Sequence, residues 1–435
     1  MTFDGFENIG DMGYCRLSSD AAGKVSFTDV SGITQIGGEG TYENNPSQIK
    51  VAPEFCFTGS SSSTRGIATI SNNVVVALAP ETMKQGFAGA TSLDNVYVGS
   101  ATTLTEDATV NAVMLEGDLD LGGHTLTVVS GIVRMGFSGN GSVKNGTLRI
   151  LYPLLVTDNT NNTDARFTAE IVTVGNDDPW EPMLDVWAMG GSKPTAALSN
   201  FTGRVIWPFN TFTFKSARTA TSYVIDMKSG NVGTGSHNAD YVVRGIAGNC
   251  ELKTGMFHNT IWVGDCNDDQ FEKLGQDAIA DWGYVVSTNG ILAPGYLSYD
   301  GGRRGRMFMV STKERMVNFL MDEGGTLQIA IHADGDNTYL KMSEMDTSYG
   351  WNKYMNVTLA GTLDIREYGK IQTGVAYPVV FYHPGKRTGK FDRVTINGAL
   401  PSGAGYVVKY DVPQPDGSYA VVVSRKNVGT VIRLR

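Results

Sequence analysis

The sequence contains few charged residues and no long apolar run, and each shortage excludes a class of protein. Charged residues make up 18% of the 435 residues, and 44 acidic against 35 basic residues give a formal net charge of −9. A nucleic-acid-binding surface needs a basic excess, so we expect no nucleic-acid partner. No stretch of about 18 apolar residues occurs, so the sequence predicts no membrane-spanning helix.

The N-terminus also lacks an export signal of the usual kind. The first ten residues, "MTFDGFENIG", contain no basic region followed by an apolar core. They therefore do not fit a secretory signal peptide. We expect either a mature form of an exported protein or a chain that is not exported by that route.

Cysteine is scarce, with four residues at Cys15, Cys56, Cys250 and Cys266. Their spacings match no zinc-binding motif. One interpretation is two disulfides in an oxidising compartment, most simply Cys15–Cys56 and Cys250–Cys266. The other is four buried thiols in a reducing compartment. Four cysteines allow three connectivities, so the pairing stays open.

Glycine is abundant, with 53 residues, and short runs of Val, Thr, Tyr and Phe recur. This composition favours strands joined by tight turns. The stretch "LEGDLDLGGHTLTV" alternates apolar and polar residues around a double glycine, and "GTLRI" returns as "GTLQI" and "GTLDI". Because one rung of a β-solenoid cannot bury its apolar side alone, several must stack. The alternation predicts these inward-facing side chains: Leu119, Leu121, Leu126, Val128, Leu148 and Ile150.

The pattern predicts a mainly β chain with few short helices. We expect an irregular N-terminal cap or accessory region at 1–100, a β-solenoid (parallel β-helix) body with insertions at 101–370, and a C-terminal β-sheet module at 371–435. The module has the strand-like runs "YPVVFY", "FDRVTI", "GYVVKY", "YAVVVS" and "TVIRLR". Helices are predicted at Asp268–Gly283 and at Ser311–Gly324, where Ser311 and Glu314 form a capping box.

Two segments resemble a known family. "LDLGGHTLTV" and the C-terminal run from "GTLDIREYGK" to "DGSYAVVV" are similar to the passenger-type β-helices of autotransporter-like and polymorphic bacterial surface proteins. The resemblance covers about a third of the chain and implies a fold and an extracellular or cell-surface setting rather than a reaction. The 435 residues include neither the membrane barrel nor the apolar sorting tail of such proteins, so we expect this chain to lack their anchor.

Catalytic motifs are sparse. Some β-helix polysaccharide hydrolases use an Asn-Thr-Asp and an Asp-Asp motif, and this chain has Asn162, Thr163 and Asp164 as well as Asp177 and Asp178. A pair of carboxylates on one face can act as acid and as base toward water. The Gly-His-Gly and Arg-x-Lys motifs of those enzymes are missing from the sequence. We therefore predict that the protein is not an enzyme.

Metal-binding patterns are equally sparse. Asp334, Asp336 and Asn337 cluster side-chain oxygens of the kind that calcium prefers, and "GDCNDDQ" at 264–270 is similar. Neither has the glutamate and spacing of an EF-hand loop, and an Asp-Gly turn explains the first equally well. The five histidines are scattered in the sequence, at positions 124, 237, 258, 332 and 383. We expect no cofactor, with calcium as the open alternative.

The predicted function is structural: a non-catalytic extracellular protein that assembles into a fibre or surface layer, or acts as a surface adhesin. The ends of a solenoid expose unpaired strand edges that another copy of the chain can cover. The expected partners are the chain itself and glycans or other cell-surface components. Alternatives are a polysaccharide-active β-helix enzyme and a phage tailspike or fibre protein. Candidate assembly residues are Phe3, Phe6, Arg303, Arg304, Arg306, Arg433 and Arg435.

Overall fold

A computed structural model describes most of the chain. The described residues are 2–5, 15–18, 24–58, 66–135, 141–151, 154–158, 169–173, 183–189, 204–207, 211–214, 221–227, 231–234, 240–248, 250–253, 260–264, 282–295, 304–310, 318–342, 355–401 and 405–426. They are mainly β, which confirms the predicted fold class. The chain divides into two compact units, Met1–Trp207 and Pro208–Arg435. The domain boundaries at 100 and 370 stay predictions.

Unit 1 contains twenty strands among its described residues. They are β1 Thr2–Phe3, β2 Cys15–Ser18, β3 Ser26–Phe27, β4 Phe55–Thr58, β5 Gly66–Ser71, β6 Val74–Leu78, β7 Lys84–Gln85, β8 Asn95–Val98, β9 Thr102–Thr103, β10 Ala108–Val110, β11 Ala112–Leu115, β12 Leu119–Asp120, β13 Thr125–Val128, β14 Val133–Met135, β15 Val143–Lys144, β16 Thr147–Ile150, β17 Leu154–Asp158, β18 Glu170–Thr173, β19 Met183–Met189 and β20 Arg204–Trp207.

Unit 2 contains nineteen strands among its described residues. They are β21 Thr211–Phe214, β22 Thr221–Met227, β23 Asn231–Thr234, β24 Asp240–Gly248, β25 Cys250–Lys253, β26 Thr260–Val263, β27 Trp282–Val286, β28 Ile291–Pro294, β29 Arg306–Val310, β30 Asn318–Met321, β31 Thr326–His332, β32 Tyr339–Met342, β33 Asn356–Leu359, β34 Thr362–Tyr368, β35 Tyr377–Tyr382, β36 Arg387–Gly389, β37 Arg393–Ile396, β38 Tyr406–Pro413 and β39 Tyr419–Arg425.

The N-terminal part of unit 1 is a mixed six-stranded sheet in the order β1-β3-β6-β5-β4-β2. The pairs β3–β6, β6–β5 and β5–β4 are antiparallel, whereas β1–β3 and β4–β2 are parallel. Its core is a buried cluster that includes Leu17, Phe27, Phe55 and Val75. The irregular structure expected for residues 1–100 is thus partly replaced by an ordered sheet, and the role of this region as a cap or accessory module stays a prediction.

The rest of unit 1 winds into parallel rungs with three faces. One circuit passes through β11, β12 and β13, which pair with β8, β9 and β10 of the preceding circuit and with β14, β15 and β16 of the following one. Leu126 lies opposite Leu148, and Val128 opposite Ile150. The predicted inward side chains are all fully buried, which confirms the prediction for Leu119, Leu121, Leu126, Val128, Leu148 and Ile150.

The double glycine forms the corner between β12 and β13. Gly122 and Gly123 have φ angles of 60° and 86°, in the left-handed region. A Cβ on Gly122 would lie 2.6 Å from the carbonyl oxygen of Leu104 on the preceding rung. Because this corner needs both a positive φ and a close backbone approach, the glycine interrupts the apolar alternation without ending it.

Unit 2 also has three faces of stacked parallel strands. The first runs through β24, β26, β27, β30, β33 and β36, the second through the end of β24, β28, β31, β34 and β37, and the third through β21, β23, β25, β29, β32 and β35. The repeated strings of the sequence are neighbours here, because "GTLQI" and "GTLDI" stack in register with Leu327 opposite Leu363 and Ile329 opposite Ile365. All four side chains are fully buried.

The C-terminal module ends the third face with antiparallel pairing. Four of its five predicted strand runs are strands, namely β35, β37, β38 and β39. Strand β39 pairs antiparallel with β35, and β38 pairs antiparallel with β39. The fifth run, "TVIRLR", lies outside the described residues. The last described rung is thus followed by a hairpin in which β39, the strand next to β35, runs opposite to β35.

The prediction of a helix at Ser311–Gly324 was wrong where the structure describes it. Residues Asn318–Met321 form β30, which lies between β27 and β33. Phe319 and Met321 are buried while Leu320 is half-buried, so alternation along a stacked strand decides the conformation over the local capping signal. Most of the other predicted helix lies outside the described residues. Two short 3-10 helices, Pro46–Gln48 and Pro80–Thr82, are the helical segments within the described residues.

The stacked core generates a direct test. In the Leu126→Asp variant a carboxylate would replace a fully buried side chain that lies between Ala108 and Leu148 on adjacent rungs. Burying an unpaired charge costs several kcal/mol, so we expect loss of soluble, folded protein. Soluble yield and the circular dichroism melting curve measure this. Thr127→Asp is the matched control, because Thr127 is half-buried on the opposite side of the same strand. A Leu126→Asp variant that melts like the wild type would overturn the inward assignment.

Candidate functional site

A column of polar side chains follows the second face of unit 2. Gln328, Asp364 and Thr395 occupy the same register position on β31, β34 and β37, and all three are buried. Asp364 accepts hydrogen bonds from Gln328 Nε2 at 3.0 Å and from Thr395 Oγ1 at 2.7 Å. The backbone amide of Gly398 and Arg366 Nε add donors at 2.8 Å and 2.7 Å. Both carboxylate oxygens are therefore fully engaged inside the protein.

The donors around Asp364 decide its ionisation. Burial alone would raise its pKa, but the hydrogen bonds from Thr395, Gly398 and Gln328 and the charge of Arg366 outweigh that effect, so the pKa lies below its ordinary value. A general acid needs the opposite shift, toward the working pH. The arrangement fits a structural anion that joins three rungs.

The C-terminal hairpin is attached to the second face by an ion pair. Arg425 Nη1 on β39 lies 2.7 Å from both carboxylate oxygens of Glu367 on β34. Tyr406 on β38 donates from Oη to Glu367 Oε1 at 2.9 Å. Burial and the neighbouring Glu367 raise the pKa of Tyr406, so its hydroxyl keeps the proton that this hydrogen bond needs.

A second cluster attaches the same hairpin to the first face. Arg387 on β36 donates to Asp411 on β38 from Nε at 3.1 Å and from Nη2 at 2.7 Å. Tyr382 on β35 donates to Asp411 Oδ1 at 3.0 Å and accepts from the Asp411 backbone amide at 2.9 Å. The Arg387 guanidinium carbon lies 5.0 Å from the ring centre of Tyr410, and Lys390 Nζ lies 5.7 Å from it. The hydrogen bonds from Arg387 lower the pKa of Asp411.

The N-terminal sheet region is held against the solenoid by two asparagines. Asn95 and Asn111 are fully buried. Asn95 Nδ2 donates to the Ile49 carbonyl at 2.7 Å, and Asn111 Nδ2 donates to the Ile36 carbonyl at 3.0 Å and to Asn95 Oδ1 at 2.7 Å. Because Ile36 and Val51 pair in an isolated bridge, the asparagines join this loop pair to the first rungs.

The predicted calcium ligands lie in a turn that an arginine already neutralises. Arg304 Nη2 is 2.8 Å from Asp334 Oδ2, and Arg304 Nη1 is 2.9 Å from Asp336 Oδ2. Asn337 donates its side-chain amide to the carbonyls of Thr338 and Pro378. Within the described residues, no group of three or more His, Cys, Asp or Glu is placed to hold a metal ion. The calcium site stays a prediction.

The structure describes only some of the assembly candidates. The acidic group that Arg304 contacts belongs to its own chain. The Arg306 guanidinium carbon lies 5.4 Å from the ring centre of Tyr339. Phe3 is 43% exposed and stacks on Phe27 at a centroid distance of 5.6 Å. The candidates Phe6, Arg303, Arg433 and Arg435 lie outside the described residues.

Three of the four cysteines lie within the described residues. Cys15 pairs with Phe55, and Cys56 with Arg16, on the parallel strands β2 and β4, so the two cysteines are one residue out of register. Cys250 is buried on β25. Cys266 and the motif residues Asn162, Thr163, Asp164, Asp177 and Asp178 lie outside the described residues. The two disulfides therefore stay predictions.

The sequence analysis missed the polar groups that join the rungs and the hairpin. For Asp364 a signal was present, since the aligned strings "GTLQI" and "GTLDI" place a polar residue at the same point of an apolar strand. For Arg387 and Asp411 no local signal exists, because their pairing depends on the path of the hairpin.

No family model matches the sequence, and no curated protein matches it either. The described residues include no helix that is long and apolar enough to span a membrane.

Asp364 generates a stability test. In Asp364→Asn an amide would face four donors, and Arg366 would lose its counter-ion, so we expect a loss of roughly 2 to 4 kcal/mol in the free energy of unfolding at neutral pH. Because its folded pKa is depressed, the wild-type carboxylate stabilises the fold above its unfolded pKa, and this contribution disappears as pH falls through the folded pKa. Denaturant unfolding at neutral and acidic pH measures both effects. Glu323→Gln, in an exposed turn, is the control.

Glu54, in the N-terminal region, has a pKa shift opposite to that of Asp364, so its effect on stability should depend on pH in the opposite direction. It is 4% exposed, its Oε1 accepts the Thr34 amide at 2.9 Å, and its Oε2 has no partner among the described residues. Burial raises its pKa, so the wild type should lose stability as pH rises from the unfolded toward the folded pKa. We expect Glu54→Gln to be at least as stable as the wild type at neutral pH. Unfolding curves at acidic and neutral pH check this, and a strongly destabilised variant would contradict it.

Proposed function

We propose that the protein is a non-catalytic β-solenoid of the bacterial cell surface that works as an adhesin, with the sides of the solenoid as its binding surface. The observation that carries this proposal is the antiparallel hairpin that covers the last parallel strand of the third face of unit 2. A repeat structure that assembles end to end needs an open terminal rung, whereas a capped one presents its sides. In unit 2 this hairpin pairs with β35, and in unit 1 the first rungs are hydrogen-bonded to the loop pair of the N-terminal region.

The ionisation of three arginine-paired carboxylates supports a role without catalysis. The pKa values of Asp334, Asp364 and Asp411 all lie below the ordinary value, and each of these carboxylates contacts an arginine of the same chain. Such groups stay ionised and paired at neutral pH, whereas a general acid needs a raised pKa. They stabilise corners, rungs and caps.

The resemblance to passenger-type β-helices supports the extracellular setting. Assembly into a fibre or surface layer remains a proposal of second rank, because most of its candidate residues lie outside the described part of the chain. A glycan or another cell-surface component is the partner that an adhesin of this architecture would take.

Binding and hydrolysis are measured together on the purified full-length chain. Insoluble cellulose, chitin and peptidoglycan sacculi serve as probes in sedimentation assays, and release of reducing ends is measured in the same tubes. We expect binding to at least one probe without new reducing ends. The triple variant Asp164→Asn, Asp177→Asn, Asp178→Asn should bind as the wild type does. Release of reducing ends by the wild type and its loss in this variant would establish the enzyme instead.

A further inference from the structure

Strand β38 is the outermost described strand of the third face of unit 2. It pairs with β39 on one side, and no described strand pairs with its other edge. From Val407 onward its side chains alternate between exposed and half-buried positions. The exposed ones are Val407, Lys409, Asp411 and Pro413. An outer strand offers a row of backbone donors and acceptors to another chain, so its sequence determines what can pair with it.

The sequence of β38 is complementary to itself. Residues 408–412 read Val-Lys-Tyr-Asp-Val. In an antiparallel pair of two such strands centred on Tyr410, each Lys409 lies opposite Asp411 of the other copy, and each Val408 lies opposite Val412. Opposite charges, aromatic residues and β-branched residues directly across an antiparallel pair are favourable. A two-fold dimer interface requires this kind of self-complementary patch.

The structure holds this segment in a shape that cannot pair. The register between β38 and β39 shifts between Lys409 and Val412, and Asp411 has a φ of 55°. The Asp411 amide donates to Tyr382 Oη beneath the hairpin, and its carboxylate is held by Arg387. A bulge of this kind raises the local twist and interrupts the flat edge that a second strand needs. Pro413 adds a position without a donor.

We propose that β38 is a latent two-fold interface for a second copy of this chain, and that the contacts of Arg387 and Tyr382 with Asp411 keep it closed. This inference goes beyond the proposed function and does not depend on it. The contacts and the dimer compete for the same groups, because Asp411 cannot pair with Lys409 of a second copy while Arg387 holds it. Release of Asp411 lets the strand straighten and pair.

The test compares full-length variants by light scattering coupled to size exclusion over a wide concentration range. We expect a monomeric wild type, and we expect Arg387→Gln and, independently, Tyr382→Phe to lower the dimer dissociation constant by roughly tenfold or more. Lys386→Gln is the matched control, since it removes a neighbouring cation that makes no described contact with Asp411, and it should behave as the wild type. Hydrogen exchange should slow at 406–413 in the dimer.

A charge exchange identifies the partner strand. On the Arg387→Gln background, adding Lys409→Asp places two carboxylates opposite each other and should abolish the dimer. Adding Asp411→Lys to that variant restores opposite charges and should restore it. Folding of every variant is checked by its melting curve. Folded Arg387→Gln and Tyr382→Phe variants that both remain monomeric would overturn the proposal, as would a wild-type dimer that protects 406–413 from exchange.

Discussion

The backbone hydrogen bonds between stacked rungs are the constraint on which the described solenoid structure depends. Each parallel strand receives its partners from the rung before and the rung after, so no rung satisfies its own polar backbone. The in-register pairing of Leu126 with Leu148 and of Ile329 with Ile365 follows from this, because a shift of one residue would turn every apolar side chain outward. The strand register therefore also determines which side chains form the core and where the corners lie.

The same constraint explains why polar side chains occur at buried register positions. Once strands stack in register, a polar residue on one rung meets the same position on the next, and a chain of hydrogen bonds can run along the axis. Asn318 and Asn356 pair in this way at 3.0 Å, and Gln328, Asp364 and Thr395 do so around a carboxylate. Such columns fix the register more strictly than apolar side chains can, since a misplaced donor would be buried without an acceptor.

The sequence predicts the features that are local and fails at those that depend on the path of the chain. Alternation and glycine corners were sufficient to predict the inward residues of β12, β13 and β16, because both are properties of adjacent residues. The capping box at Ser311 misled the prediction for Asn318–Met321, since stacking between β27 and β33 outweighs helix propensity. The contact between Arg387 and Asp411 joins two elements through a hairpin whose direction no local pattern specifies.

The C-terminal hairpin of unit 2 shows how the chain covers the strand edge at the end of one solenoid face. Stacking gives each interior rung two neighbours, but a terminal rung has an edge that would accept any other strand. In unit 2 the strand direction reverses at β39, and β38 then forms the outer edge. A bulge bends this edge, and the carboxylate of Asp411 in the bulge is paired with Arg387 of the same chain. The self-complementary segment lies at this bent position, where pairing would otherwise be most favourable. Under the proposed two-fold pairing, the hairpin that covers β35 therefore also determines whether the chain stays monomeric.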